Sequence, residues 1–295
     1  MSILINENTK VIVQGITGRE GSLRSKYMKN YGTRVVAGTS PGRGGEEVDG
    51  IPVYNTVKEA VRAQGQIDMS VTFIPGPVLK MGVLEAIDAG IKYIVSPVER
   101  VPLHDIMEMI SVANKAGVTL VGPGSIGVIS PGKAVAGWLG GNVEFANGLF
   151  QPGPIGVLSR SGGESGTVPW ILKNGGLGVS TAIHTGTEPI LGTSFADFLL
   201  LFEKDEQTLA VAAFGEIGGS QEEEAAEVIK DGRFTKPFVI YIAGAAAPEG
   251  QRFSHASAIV ERGRGSVQGK VKALREAGAY PVETPKEIVL HSENS

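Results

Sequence analysis

Short β-branched runs alternate with longer amphipathic stretches along most of this chain, and a glycine-rich turn follows many of the runs. The first series occupies 10–16, 34–37, 69–74, 93–95 and 118–121, and the second 155–159, 179–184, 208–215 and 238–243. A strand followed by a helical pattern and another strand requires a crossover, so this alternation demands parallel sheets with helices on their faces. Between the two series lies 131–154, rich in Gly, Asn and Pro and without clear periodicity. At 295 residues the chain is long for one core and natural for two. We therefore expect an α/β protein with a doubly wound domain over 1–130, a linker over 131–153, and a second doubly wound domain over 154–295.

Composition narrows the function. A formal net charge of −4 with no long basic run argues against a nucleic-acid binder. With no cysteine, disulfides, thiolate metal sites and a cysteine nucleophile are excluded. The first residues lack the basic and apolar regions of a secretory leader, and no run approaches the length of a membrane span. The expectation is a cytoplasmic protein that handles small molecules. Its 42 glycines would serve tight turns and close approaches of backbone to ligand.

The turns at strand ends are where ligands bind in such folds. Gly15-Ile16-Thr17-Gly18-Arg19-Glu20-Gly21 follows the first strand and opens a helix, a context suited to pyrophosphate. Its spacing is G-x-x-G-x-x-G, and the acid that would hold a ribose hydroxyl after the second strand is missing. Arg43 lies there instead, in a Gly-rich loop, and suits a ribose phosphate such as that of coenzyme A or NADP.

In the second series, Ser159-Arg160-Ser161-Gly162-Gly163 and Gly215-Glu216-Ile217-Gly218-Gly219-Ser220 each leave a strand and enter a helix. Either could present amide donors to an anion; either could equally be a plain helix cap. Glu216, between strand and glycines, is placed to accept an imidazole N–H. His255 lies among Ser254, Ala256 and Ser257, small neighbours that leave room for an anion on a nucleophilic ring. His184 ends a strand at a position suited to lining a substrate pocket, while His104 and His291 compete poorly for a catalytic role.

Together these segments resemble the α subunit of succinyl-CoA synthetase, from Ser2 to about Ile288. The resemblance implies a Rossmann-like, coenzyme A-binding first domain and a flavodoxin-like second domain carrying a phosphohistidine. It places Thr17, Gly18, Arg19, Glu20, Arg43, Pro97, Val98 and Glu99 at coenzyme A, with Arg43 standing where the family has lysine. It makes His255 the phosphorylated residue, Glu216 its contact, and Ser161 with Gly162 the phosphate-holding turn. It also implies Mg-ATP or Mg-GTP bound mainly by a β-type partner subunit of ATP-grasp fold.

The departures concentrate at the substrate end. Gly166 and Thr167 replace a tyrosine and a glutamate, and His184-Thr185-Gly186-Thr187-Glu188-Pro189 replaces G-I-G-G-D-P. Ser159 to Gly163 reads like the S-R-S-G-G of ATP-citrate lyase and citryl-CoA synthetase. A pocket formed by Gly166, Thr185, Gly186 and Thr187 would favour a polar acid, with succinate, citrate, malate and a sulfonated acid open. Two other readings remain: a coenzyme A-binding regulatory module without phosphoryl transfer, and an NADP-dependent oxidoreductase.

Overall fold

The computed structural model describes residues 2–245 and 265–289. The first half contains β1 (Lys10–Gln14), α1 (Arg19–Tyr31), β2 (Arg34–Thr39), β3 (Glu47–Val48), β4 (Ile51–Tyr54), α2 (Val57–Gln64), β5 (Met69–Thr72), α3 (Leu79–Asp88), β6 (Tyr93–Val95), α4 (Leu103–Ala116) and β7 (Thr119–Val121). Their sheet runs β3-β4-β2-β1-β5-β6-β7. All its pairs are parallel except the short β3 against β4. Setting β3 aside, this is the dinucleotide-fold order, which reverses direction between β1 and β5 and opens a crevice there.

The second half contains β8 (Gly127–Ser130), β9 (Ala134–Gly137), α5 (Val143–Leu149), β10 (Pro152–Ser159), α6 (Glu164–Asn174), β11 (Val179–His184), α7 (Phe195–Glu203), β12 (Ala210–Glu216), α8 (Gln221–Lys230), β13 (Phe238–Ala243), α9 (Val267–Glu276) and β14 (Tyr280–Val282). Its sheet runs β14-β13-β12-β10-β11-β8-β9. The five strands from β14 to β11 are parallel in flavodoxin order, with a switch point between β10 and β12. The expected pair of doubly wound α/β units is what the chain forms.

The stretch 131–153 is not a bare linker. It carries β9 and α5, and β9 pairs antiparallel with β8, which pairs antiparallel with β11. The glycines that read as looseness serve close packing. A Cβ on Gly127, where φ is +124°, would stand 2.0 Å from the Ala136 carbonyl oxygen. This hairpin also joins the two sheets. The Thr33 hydroxyl donates to the Val135 carbonyl at 2.6 Å and accepts from the Val135 N–H at 2.9 Å. Tyr27 on α1 donates to the Leu139 carbonyl, and Ser130 to that of Ile5. Val13 and Met69 of the first sheet and Ile129 and Phe195 of the second share one continuous apolar core.

α7 illustrates how the second domain closes. Ser194 and Asp197 form a capping box, and Phe195, Phe198 and Phe202 recur at helical spacing, all fully buried. The Phe202 ring lies over Gly156 in β10, where a Cβ would come within 2.7 Å of it. Phe202→Ala should cost about 3–5 kcal/mol, measured by urea unfolding; a loss below about 1 kcal/mol would show that the site refills.

Candidate functional site: two crevices and a seam

At the switch point of the first sheet lies a cleft of about 450 Å³, lined among others by Gln14, Gly15, Ser40, Asn55, Phe73 and Met81. Thr17 and Gly18 line it as well. The turn beneath it depends on missing side chains. A Cβ on Gly15, at φ +78°, would be 2.3 Å from the Phe73 carbonyl oxygen, and one on Gly21 would be 2.1 Å from that of Gly15. Thr17 donates its hydroxyl to Ser40 at 2.7 Å, tying the turn to the end of β2. Asn55 accepts from the N–H groups of Gly42 at 2.9 Å and Gly44 at 3.1 Å, shaping the loop that carries Arg43. A glycine turn opening α1, with polar groups at the ends of β1 and β2, suits a phosphate-bearing nucleotide.

The other expected contacts divide. Arg19 and Glu20 begin α1, and Glu20 pairs with Arg24 at 3.1 Å. The Arg24 guanidinium lies 4.9 Å from the centre of the Trp138 ring. Arg43 does not reach into the cleft unengaged: its guanidinium grips Glu46, with Nη2 to Oε2 at 2.6 Å. A phosphate would have to compete with that carboxylate. Pro97, Val98 and Glu99 lie in a loop after β6, outside the residues that line the cleft.

That loop is the seam between the two halves. The Val98 carbonyl accepts from Gly124 N–H at 2.8 Å, Glu99 accepts from the Thr187 hydroxyl at 3.2 Å, and the Arg100 N–H donates to Glu188. The hydroxyls expected to read a substrate are therefore engaged: Thr187 with Glu99, and the buried Thr185 with the Ser159 carbonyl at 3.2 Å. Gly186, at φ +125°, has no room for a side chain, since a Cβ would stand 2.4 Å from the Pro123 carbonyl oxygen. A Cβ on Gly166 in α6 would meet Leu149 at 3.3 Å. His184 is fixed within the fold. Its Nδ1 accepts from Ile126 N–H at 2.9 Å, which leaves the Nε2 proton for the Arg160 carbonyl at 3.3 Å.

The second crevice is at the switch point between β10 and β12. Pairing of Ser159 with Phe214 places the turn bearing Ser161 and Gly162 beside the turn bearing Glu216. Ser161 lies in the turn that leads into α6, its carbonyl accepting from Ser165 N–H at 3.0 Å and from the Ser165 hydroxyl at 2.8 Å. Between the turns is Arg160, only 2% exposed. Its Nη1 donates to the carbonyls of Glu216 at 3.1 Å and Gly218 at 2.8 Å, and to Glu222 at 3.2 Å. Its Nη2 stands 3.4 Å from the Glu216 carboxylate. Glu222, fully buried, also accepts from the Glu216 N–H at 3.0 Å. On its far side is the equally buried Lys270, which binds Glu222, Glu223 at 2.7 Å and the Gly219 carbonyl at 3.1 Å. His255, Ser254 and Ser257 lie outside the described residues.

Sequence reasoning named the turns and passed over the charges that hold them. Arg160 lies within one of the strand-end motifs, and Glu222 is one of three acids in the first turn of α8, where an acid by itself suggests only a dipole partner. Burial disfavours the Glu222 carboxylate, yet the charges of Arg160 and Lys270 and the bonds from Lys270 and Glu216 N–H hold its pKa below the usual carboxylate value. Its contribution to stability is therefore complete above about pH 4.5 and lost as pH falls through the lower folded-state value. Glu222→Gln should cost about 3–5 kcal/mol at pH 7, and the deficit should shrink as unfolding is measured below pH 4.5. A deficit unchanged down to pH 3 would contradict this assignment.

Comparison with known proteins adds to this geometry. The CoA binding domain model matches residues 6–99 and the CoA-ligase model residues 158–280. The α 2 subunit of the ADP-forming succinate–CoA ligase of Archaeoglobus fulgidus is 47% identical, across 98% of this chain and 97% of that protein. A subunit of an ADP-forming sulfoacetate–CoA ligase from an Acholeplasma species is 43% identical, across 98% and 96%. ATP citrate lyase of Methanothrix soehngenii, solved with citrate and coenzyme A, superposes with a TM-score of 0.89 at 24% identity. The superposition spans 99% of this chain and about half, 50%, of that longer one, and at this identity it establishes the fold alone. With two sheets in the expected orders, a coenzyme A domain before a ligase domain, and this identity over nearly its whole length, the chain belongs to the succinate–CoA ligase α-subunit family.

Proposed function

We propose that this chain, with a β-type partner of ATP-grasp fold, joins a small polar acid to coenzyme A through a phosphohistidine and an acyl phosphate. The observation that carries the reading is the pairing of two helix-opening turns, those of Ser161 and Glu216, at one switch point, with a nucleotide-sized cleft at the other. His255 attacks the γ-phosphorus of Mg-ATP or Mg-GTP, and the nucleoside diphosphate leaves. Ser161, Gly162 and the first amides of α6 hold the phosphoryl group, and Glu216 orients the imidazole. A carboxylate oxygen of the acid then takes the phosphoryl group, freeing the ring, and attack of a thiol on the acyl carbon expels phosphate. Coenzyme A supplies that thiol.

On the first sheet, Thr17, Gly18, Arg19 and Glu20 lie at the turn that meets the nucleotide end of coenzyme A. The 40–45 loop completes that wall once Arg43 exchanges Glu46 for a phosphate. Pro97, Val98 and Glu99 lie along the seam toward the second crevice, and Glu99 is joined to Thr187 across it. Succinate and sulfoacetate, the acids named in relatives at 47% and 43% identity, head the candidates. Both carry a second anionic group, in keeping with a polar pocket. With Thr185 and Thr187 engaged in the fold, the groups that distinguish them are to be sought around Gly166 and on the partner.

His255→Asn in the complex should abolish acyl-CoA formation from every acid in a panel of succinate, sulfoacetate, citrate and malate. Coenzyme A affinity by calorimetry should remain within about twofold, since the described residues that line the first cleft are unchanged. Retained turnover would overturn the reading.

A further inference from the structure

Lys270 lies on α9, about fifty residues beyond the turn it touches, and it is fully buried. An ammonium has three protons, and here each has an acceptor: Glu222 Oε2, Glu223 Oε2 and the Gly219 carbonyl. None is left for a phosphate or a substrate, so Lys270 is not a binding cation. Its partner Glu222 is likewise spent, on Lys270, on Arg160 and on the Glu216 N–H. Burying such charges is expensive, and a fold that needed only cohesion would be served as well by apolar residues.

What the network contacts explains its retention. Five of its interactions end on the four residues 216–219: the Glu216 N–H, carbonyl and carboxylate, and the carbonyls of Gly218 and Gly219. Gly218 and Gly219 are both left-handed, at φ +78° and +62°, a turn with little conformational preference of its own. The Gly218 N–H is also taken, by the Gly265 carbonyl at 2.8 Å. A Cβ on Gly215 would stand 2.6 Å from Glu222 Oε1, so the strand end is shaped around this carboxylate. Other lysine–acid pairs, such as the exposed Lys58–Asp88 and the half-buried Lys80–Asp105, touch no such turn.

We propose that Lys270 and Glu222 are positioning residues: through the Arg160 guanidinium they lock the 216–219 turn and so aim the Glu216 carboxylate at the phosphoryl-transfer site. The inference rests on the function proposed above. The same guanidinium belongs to the residue next to Ser161, so one buried cation sets the spacing of both turns. Turn geometry then depends on a charge balance assembled from three separate segments.

The test uses the assembled complex. Glu222→Gln/Lys270→Met removes one negative and one positive charge together, so the net charge of the cluster is unchanged and Arg160 keeps the Glu216 carboxylate, and its melting temperature reports folding. Phosphoryl uptake from Mg-ATP and kcat should fall by about 100-fold, while KM and Kd for coenzyme A stay unchanged. Lys270→Arg keeps the charge but puts a planar fork where a compact ammonium fits, and decides the matter should the double variant not assemble. It should lower kcat at least about 10-fold, again with coenzyme A affinity intact. Parental uptake and kcat in whichever variant assembles would overturn the inference, and so would a loss confined to coenzyme A affinity. Failure of the unaltered complex to take up phosphoryl would overturn the parent reading, and this inference with it.

Discussion

The buried guanidinium of Arg160 is the constraint around which the second crevice is built. Its backbone N–H donates to the Phe214 carbonyl in β12, and its carbonyl accepts a hydrogen bond from His184 in β11. The side chain then crosses to the carbonyls of the opposite turn. One residue thus ties three neighbouring strand ends at the level where a ligand would sit. Without Glu222 its charge would keep only the Glu216 carboxylate, at 3.4 Å, and without Lys270 the buried acid would lose one of its two cations. Electrostatics inside the protein here serve geometry more than cohesion.

The two halves share a core as well as a seam. The β8–β9 hairpin is pinned to α1 by Thr33, Tyr27 and Met28, and Trp138 beyond it stacks near Phe73, which lines the first cleft. On the other side the 97–100 loop is bonded to 187–188. The first cleft and the second domain are therefore connected through packed aromatic rings and hydrogen bonds. For the reaction we propose, in which a thiol held at one sheet meets an acyl phosphate at the other, a fixed spacing of this kind would be an advantage.

Much of this was legible because local sequence carries it. Alternating strands and helices imply parallel sheets, whereas the two different strand orders are implied only by the family resemblance, since the same alternation suits either. The turns at Gly15, Ser159 and Gly215 stood out because strand ends rich in glycine are where backbone approaches a ligand. Lys270 was invisible because its partners are about fifty residues away, and a lysine in an amphipathic helix normally faces water. Arg43 reads in isolation as an unengaged cation, although Glu46, three residues on, was a readable partner. Close backbone crossings at Gly127 and Gly137 look, in sequence, the same as a loose connection, so the 131–153 stretch read as a linker. The threonines at 185 and 187 were legible as polar and not as already bonded, since their partners come from other strands and from the other domain.

The account turns on a phosphoryl group carried by this chain between nucleotide and acid. The direct measurement is the intact mass of the chain, taken from its complex with the partner after exposure to Mg-ATP, with the modified peptide mapped. The account predicts one phosphoryl group on the peptide containing His255, discharged when succinate or sulfoacetate is added with coenzyme A. A chain that gains no mass, or gains it at a residue other than His255, would contradict it.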